Sequence, residues 1–235
     1  MPHRPRSVSS LVDYQVQRWA YEQARLRKEK AKKHWPVITI SREFGSLGAS
    51  IGLDIAKKMG FHFWDQELVH GMAEQSGVDE AMLETLDEHA KDAVSSFIDA
   101  VLRRSPITES VYLKNLLGIV HTIGKHGRSV IIGRGAQFIL EPHEVHSVRV
   151  VCPREQRLQG LMKRRGWDHH EAEKILNEVE HDRHTFIRHH YNRDVSTPSV
   201  YDISVNTGNM TADKAVQVII ASYEARYGSP PPPVY

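Results

Sequence analysis

Short β-branched runs alternate along this chain with longer segments of helical period. Val37-Ile38-Thr39-Ile40, Phe61-His62-Phe63-Trp64, Ser129-Val130-Ile131-Ile132, Ser147 to Val151 and Tyr201-Asp202-Ile203-Ser204-Val205 read as strands. Ile51, Ile55, Ala56 and Met59 recur at helical spacing, which predicts a helix from Ala49 to Met59 stopped by Gly60. Helical patterns also cover 66–75, 79–103, 109–125, 154–165, 169–190 and 211–226, with Thr211 as the cap of the last. Pro106 separates the second of these from the third. At the amino end, residues 11–34 form a further helix: Leu11, Val16, Trp19 and Tyr21 give way to a basic run from Arg25 to Lys33, and Pro36 ends it. Residues 1–10 and the run Pro230-Pro231-Pro232-Pro233 are expected to be disordered.

Strands alternating with helices argue an α/β fold with a parallel sheet and helices on both faces. The helical stretch 66–126 is longer than a crossover needs and reads as an insert. Gly166 splits the segment from Gly160 to Arg188 into two helices that read as a lid. The chain thus divides into an extension (1–36), one domain (37–227) and a Pro-rich tail (228–235).

Composition narrows the partners. With 40 % apolar and 26 % charged residues, the 235-residue chain is globular in type. Its net charge of +2 excludes a strongly basic nucleic-acid binder. Its single cysteine, Cys152, forms no internal disulfide, which fits a reducing, cytoplasmic setting; the expectation for it is burial at a strand end. No window suits a membrane span.

The candidate chemistry starts at the loop after the first strand. Gly45 and Gly48 permit tight turns where a helix begins, and a helix amino end offers unpaired amides to an anion. The loop Gly45-Ser46-Leu47-Gly48-Ala49-Ser50 is therefore a phosphate site, with Ser46 or Ser50 as a further donor and Ser50 as a magnesium contact. No lysine occurs from Ser41 to Asp54, so Arg42 is the nearest source of positive charge. Asp65, after the second strand, is either an acceptor-positioning carboxylate or a helix cap. Arg134 follows a buried strand in Gly133-Arg134-Gly135, beyond the carboxyl end where ligands of open sheets bind. Arg154, Arg157, Arg164 and Arg165, with Asp182-Arg183 and Arg188, load the lid with charge. His181 and His184 have helical metal-ligand spacing but no third ligand.

These pieces together resemble the cytidylate kinase-like family. The matching stretches are ITISREFGSLGASIG at 38–52, MGFHFWDQELV at 59–69, VIIGRGAQFIL at 130–140, VRVVCPREQRLQGLMKRRG at 148–166, EHDRHTFIRHHYN at 180–192 and YDISVNTGNMT at 201–211. The resemblance implies a P-loop kinase fold with 66–126 as the monophosphate-binding region and 160–190 as the lid. It implies transfer of the terminal phosphate of ATP to a pyrimidine nucleoside monophosphate, with Mg2+. It makes Arg134 the acceptor-phosphate arginine and Arg157, Arg164 and Arg183 the lid and donor-side arginines. By the same resemblance Asp65 falls where the family has an acidic residue after the second strand, and Asp182 falls beside Arg183, both on the substrate side. Leu47 and Ala49 differ from the small and the basic residue of the family's loop, and Gly135 from the aspartate of true cytidylate kinases.

Three functions follow from the residues: a nucleotide-dependent phosphotransferase, a non-catalytic nucleotide or phosphate binder, and a partner-binding domain that self-associates through residues 11–34.

Overall fold

The computed structural model of the chain describes residues 8–27, 34–104 and 111–230. The elements in order are α1 (Val8–Arg27), β1 (Val37–Arg42), α2 (Gly48–Met59), β2 (His62–Trp64), α3 (Gln66–Glu74), α4 (Val78–Leu83), α5 (Glu88–Arg104), α6 (Val111–His126), β3 (Ser129–Ile132), β4 (Val145–Val151), α7 (Arg154–Arg165), α8 (His169–Tyr191), β5 (Ile203–Asn206) and α9 (Ala212–Tyr227). The expected disorder of 1–7 and of 231–233, and the basic residues 28–33, lie outside the described residues.

The five strands form one parallel sheet in the order β2-β3-β1-β4-β5, the α/β class the alternation predicts. Ile38 pairs with Val130 and Ile40 with Ile132 on one side of β1, and Ile40 pairs with Val148 and Ser41 with Arg149 on the other. Side chains alternate across a strand. Ile38, Ile40, Val130, Ile132, Val148 and Val150 therefore share a face, and α2 and α9 bury it through Ile51, Ile55, Val216 and Ile219. Thr39, Ser41, Ser147 and Arg149 take the opposite face and are also buried. Gly52 lets α2 lie close to the sheet: a Cβ there would stand 2.5 Å from Ile132 Cδ1 and 3.0 Å from Ile40 Cδ1.

The chain separates into two compact units, Met1–His34 with Trp64–Gly127, and Trp35–Phe63 with Arg128–Tyr235. In the first, α6 packs against α3, α4 and α5, and buries Leu113, Leu116, Leu117 and Val120. The first helix belongs to this unit. Val12 and Trp19 are buried, and the Trp19 ring meets Trp64 edge-on at 5.7 Å. The helix expected over 79–103 is two helices. Thr85 turns its hydroxyl onto Met82 O at 2.5 Å, and Asp87 accepts the Ala90 amide at 2.9 Å, so a new amino terminus is capped where apolar periodicity alone runs on. The last strand starts at Ile203, because Asp202 accepts the Ser147 amide with its carboxylate and Tyr201 sends its hydroxyl to Val195 O.

Candidate functional site

The loop between β1 and α2 is pinned from several directions. Its glycine at position 45 has φ +87°, and Leu47 adopts a left-handed φ of 68° at the helix cap, a conformation that costs a branched side chain about 1 kcal/mol. Ser46 is fully buried and donates its hydroxyl to Glu43 O at 2.8 Å, with Val150 O at 3.3 Å. The hydroxyl expected to meet a ligand is thus committed to the loop itself. Thr207 donates to Ser46 O at 3.1 Å. Gly48 begins α2, and a Cβ there would lie 2.5 Å from Arg42 Cβ, so the Arg42 stem occupies the space beside the helix amino end. The first intrahelical bond runs from Ile51 N to Leu47 O, which leaves the amides of Gly48, Ala49 and Ser50 without a backbone acceptor. Ala49 and Ser50 are exposed.

Arg157 holds this loop to the α7–α8 hairpin. It is 6 % exposed. Its Nε donates to Cys152 O at 2.8 Å and stands 3.5 Å from Glu43 Oε2. One terminal nitrogen donates to Phe44 O at 3.2 Å and to Glu180 Oε1 at 2.5 Å. Glu180 also accepts the Phe44 amide at 3.3 Å, and Glu43 accepts the Cys152 amide at 2.9 Å. Phe44 packs beside the small core of Leu158, Leu161, Ala172 and Leu176 inside the hairpin. Arg164 adds a bond to Gly45 O at 3.3 Å from the exposed side of α7. Cys152 lies one residue past β4 and is partly exposed rather than buried, because its amide is held by Glu43 while its thiol turns out to Gln156 Oε1 at 4.0 Å.

A different set of arginines gathers at the carboxyl end of β1. Arg134, two residues beyond β3, has a left-handed φ of 54°; Tyr191 donates to its carbonyl at 2.7 Å, and its guanidinium lies 5.0 Å from the Phe186 ring. Arg183 of α8 donates to Arg42 O at 3.3 Å and stacks 5.5 Å from Phe44. Arg149 of β4 is 7 % exposed and donates to Ser41 Oγ at 2.9 Å. Burial, with the Arg149 and Arg134 charges against the Glu180 carboxylate, pushes the Arg183 guanidinium down to about 10. Arg134 Nε, Arg183 Nε and Gln137 Nε2 are buried and meet no acceptor. Such orphaned donors are costly unless a ligand takes them.

Of the other expected residues, Asp65 belongs to the first unit and caps α3, accepting the Leu68 amide at 2.7 Å. Asp182 is exposed on α8. Arg154 pairs with Glu173 at 2.9 Å. Among the described residues no group of three His, Cys, Asp or Glu is placed to hold a metal, and no helix is long and apolar enough to cross a membrane. Arg149, Ser41, Glu43 and Glu180 are absent from the sequence-based set. Arg149 had a signal, a lone charge between valines in a buried strand, since arginine is rarely buried unless it has work with a partner. Glu180 had none: its loop partner is 136 residues away.

The model of the cytidylate kinase-like family matches residues 37–209. The chain belongs to the cytidylate kinase-like family. That places the β1–α2 loop, both arginine groups and the α7–α8 hairpin inside the family's kinase-like domain. An uncharacterised protein from Eubacterium ventriosum ATCC 27560 has a similar fold, with 18 % identity, a TM-score of 0.61, and 81 % of this chain and 99 % of that one covered. A sugar kinase from Janibacter sp. HTCC2649 aligns over 82 % of this chain and 95 % of its own, at 13 % identity and a TM-score of 0.47, too distant to carry an argument. No curated protein matches the chain.

Proposed function

We propose that this cytidylate kinase-like chain is a nucleotide-dependent phosphotransferase that moves the terminal phosphate of ATP to a nucleoside monophosphate, a pyrimidine one by the family's chemistry. The carrying observation is a juxtaposition. The amides of Gly48, Ala49 and Ser50 have no backbone acceptor at the amino end of α2, where Ala49 and Ser50 are exposed, and Arg134 and Arg183 hold unpartnered donors at the end of the preceding strand. Donor phosphates take the amides and the positive end of the helix. Arg42, packed against Gly48, brings to the loop the charge that no lysine supplies. The acceptor's phosphate lies on Arg134 and Arg183. One of its oxygens attacks the terminal phosphorus of ATP, the bond to the bridging oxygen breaks, and ADP leaves. The attacking oxygen is already anionic, so positioning and charge suffice and no general base is needed. Ser50, exposed on the first turn of α2, fits a magnesium ion carried by the nucleotide, which needs few protein ligands. When bound, that ion neutralises charge on the donor phosphates. Arg157 acts as a positioning residue through Glu43, Phe44 and Glu180, and Arg164 through Gly45.

One observation favours a non-catalytic phosphate or nucleotide binder. The loop's cation is an arginine stem wedged at Gly48 in place of a mobile lysine, and the Glu180 carboxylate already sits on the Phe44 amide. Calorimetry with ATP and each nucleoside monophosphate, with and without Mg2+, paired with mass-spectrometric product detection, separates the two. A nucleoside diphosphate product from one acceptor is the expected result. Binding without product selects the second reading, and neither binding nor product overturns both.

A further inference from the structure

Arg149 is the least explained charge in the molecule. It is 7 % exposed, lies between Val148 and Val150 on a buried strand, and has no carboxylate partner among the described residues. A buried guanidinium in that position costs several kcal/mol unless an anion offsets it. Its bond to Ser41 Oγ at 2.9 Å and its neighbour Tyr201 orient the group without neutralising it.

The sheet register says what it faces. Ser41 pairs with Arg149 across β1 and β4, and Ile40 pairs with Ile132 across β1 and β3, so Arg134, two residues past Ile132, lies at the level of Arg42. Arg183 comes down from α8 onto the carbonyl of the same Arg42. Three neighbouring strand ends and one helix thus bring three guanidiniums to one spot. Arg183 feels both of the others, while the carboxylate nearest to it, Glu180, is engaged by Arg157. Tyr201, with Ser41, Arg149 and Gln137 as its neighbours, closes the polar side, and Gln137 adds a buried amide donor without an acceptor. The three guanidiniums and the Gln137 amide are the donors of this set, while Ser41 accepts from Arg149 and Tyr201 gives its proton to Val195 O.

We infer that Arg149 is a specificity-determining anion-binding residue: held by Ser41, it completes with Arg134 and Arg183 a pocket for a dianionic phosphate group and rejects singly charged esters. This deepens the phosphotransferase reading by adding a residue on its acceptor side, but the pocket's affinity for phosphate does not depend on turnover. Two guanidiniums balance the charge of a dianion; the third, brought through the sheet face, leaves an excess of positive charge that favours the monoester dianion over a singly charged diester.

The test uses the full chain without ATP. Calorimetry and thermal melting are followed with inorganic phosphate at about pH 8, where phosphate esters carry nearly two charges, and with dimethyl phosphate as the monoanion. CMP, UMP and unphosphorylated cytidine form the further arms. The native chain is expected to bind phosphate and the monophosphates, and to ignore cytidine and dimethyl phosphate. Tighter binding of CMP or UMP than of phosphate assigns the anion to an acceptor, and equal binding assigns it to free phosphate. Arg149→Met is expected to weaken phosphate at least about tenfold, the size of a lost charge-assisted bond, while the ligand-free melting temperature holds or rises as like-charge repulsion is relieved. A structural role for Arg149 gives the opposite pattern, a lower ligand-free melting temperature with unchanged phosphate affinity, and overturns the inference. Equal binding of phosphate and dimethyl phosphate by the native chain also overturns it. Should Arg149→Met fail to fold, Ser41→Ala, which only frees the guanidinium, must still weaken phosphate. Phosphate binding lost in Arg149→Met, with no kinase product from the native chain, sinks the phosphotransferase reading and leaves this one standing.

Discussion

Arg157 and the trio Arg134, Arg149 and Arg183 are set within the same unit of one chain and are treated in opposite ways. Arg157 is buried among two carboxylates and two carbonyls, with its donors spent on Glu43, Glu180, Phe44 and Cys152. In the trio Arg149 is buried and Arg134 and Arg183 are half-buried, on hydroxyl, carbonyl and ring neighbours, and two of the Nε atoms are buried and meet nothing. A guanidinium surrounded by protein acceptors is part of the architecture. One buried without them is held ready for an anion, because folding alone gives no return on its desolvation. The family resemblance assigns Arg157 and Arg183 alike to the lid and donor side; their surroundings separate them.

The largest effect expected from that difference is in stability. Arg157→Ala strands Glu43 and Glu180 and unties the loop from α7 and α8, so denaturant unfolding should show a loss of about 3 kcal/mol. A loss under about 1 kcal/mol would mean that the clamp carries no load and that the two groups are not different in kind. Arg134→Ala should behave in reverse. Its stability is kept, while steady-state kinetics with the acceptor varied lose about 10- to 100-fold in kcat/KM, the size of a charge-assisted bond to phosphate. Unchanged acceptor kinetics would move the acceptor away from the trio.

A smaller effect concerns protons. His190 is held below its ordinary 6.5 chiefly by burial, then by His189 and Arg134. Its folded-state value therefore lies below the unfolded one, so its stabilising contribution is complete above about pH 6.5 and is lost as pH falls toward the folded value. Bound phosphate should offset Arg134 and raise the His190 midpoint, which an NMR titration of the ring measures directly. A midpoint that ignores phosphate would place the anion elsewhere. The smallest effect is at Leu47. Replacing this left-handed residue by glycine relieves backbone strain but loosens the unfolded chain, so Leu47→Gly should raise stability by less than about 1 kcal/mol. A clear loss in equilibrium unfolding would show that the leucine side chain, 36 % exposed, holds the loop itself.

Much of the fold was legible because it is local. β-branched runs fall on β1, β3 and β4, and the Ala49–Met59 pattern falls on α2 with its start one residue earlier. The break inside 79–103 was not, since it depends on Thr85 and Asp87 side chains winning backbone partners that apolar spacing does not register. For the site, Arg134 and Arg183 could be singled out because each stands beside a strand end or in a charged helix. Arg149 hid inside an apolar strand, and its meaning rests on the β1–β4 register with Ser41.

By itself the sequence determined the order of strands and helices, the glycine loop ahead of α2, the family, and a surplus of arginine without a loop lysine. Tertiary structure alone decided which arginine is neutralised. That choice is made by contacts between residues more than a hundred positions apart, Phe44 with Glu180 and Ser41 with Arg149, and electrostatics follows distance in space and burial. The glycine loop was readable as a pattern; whether the charges around it are spent or free was written only in the fold.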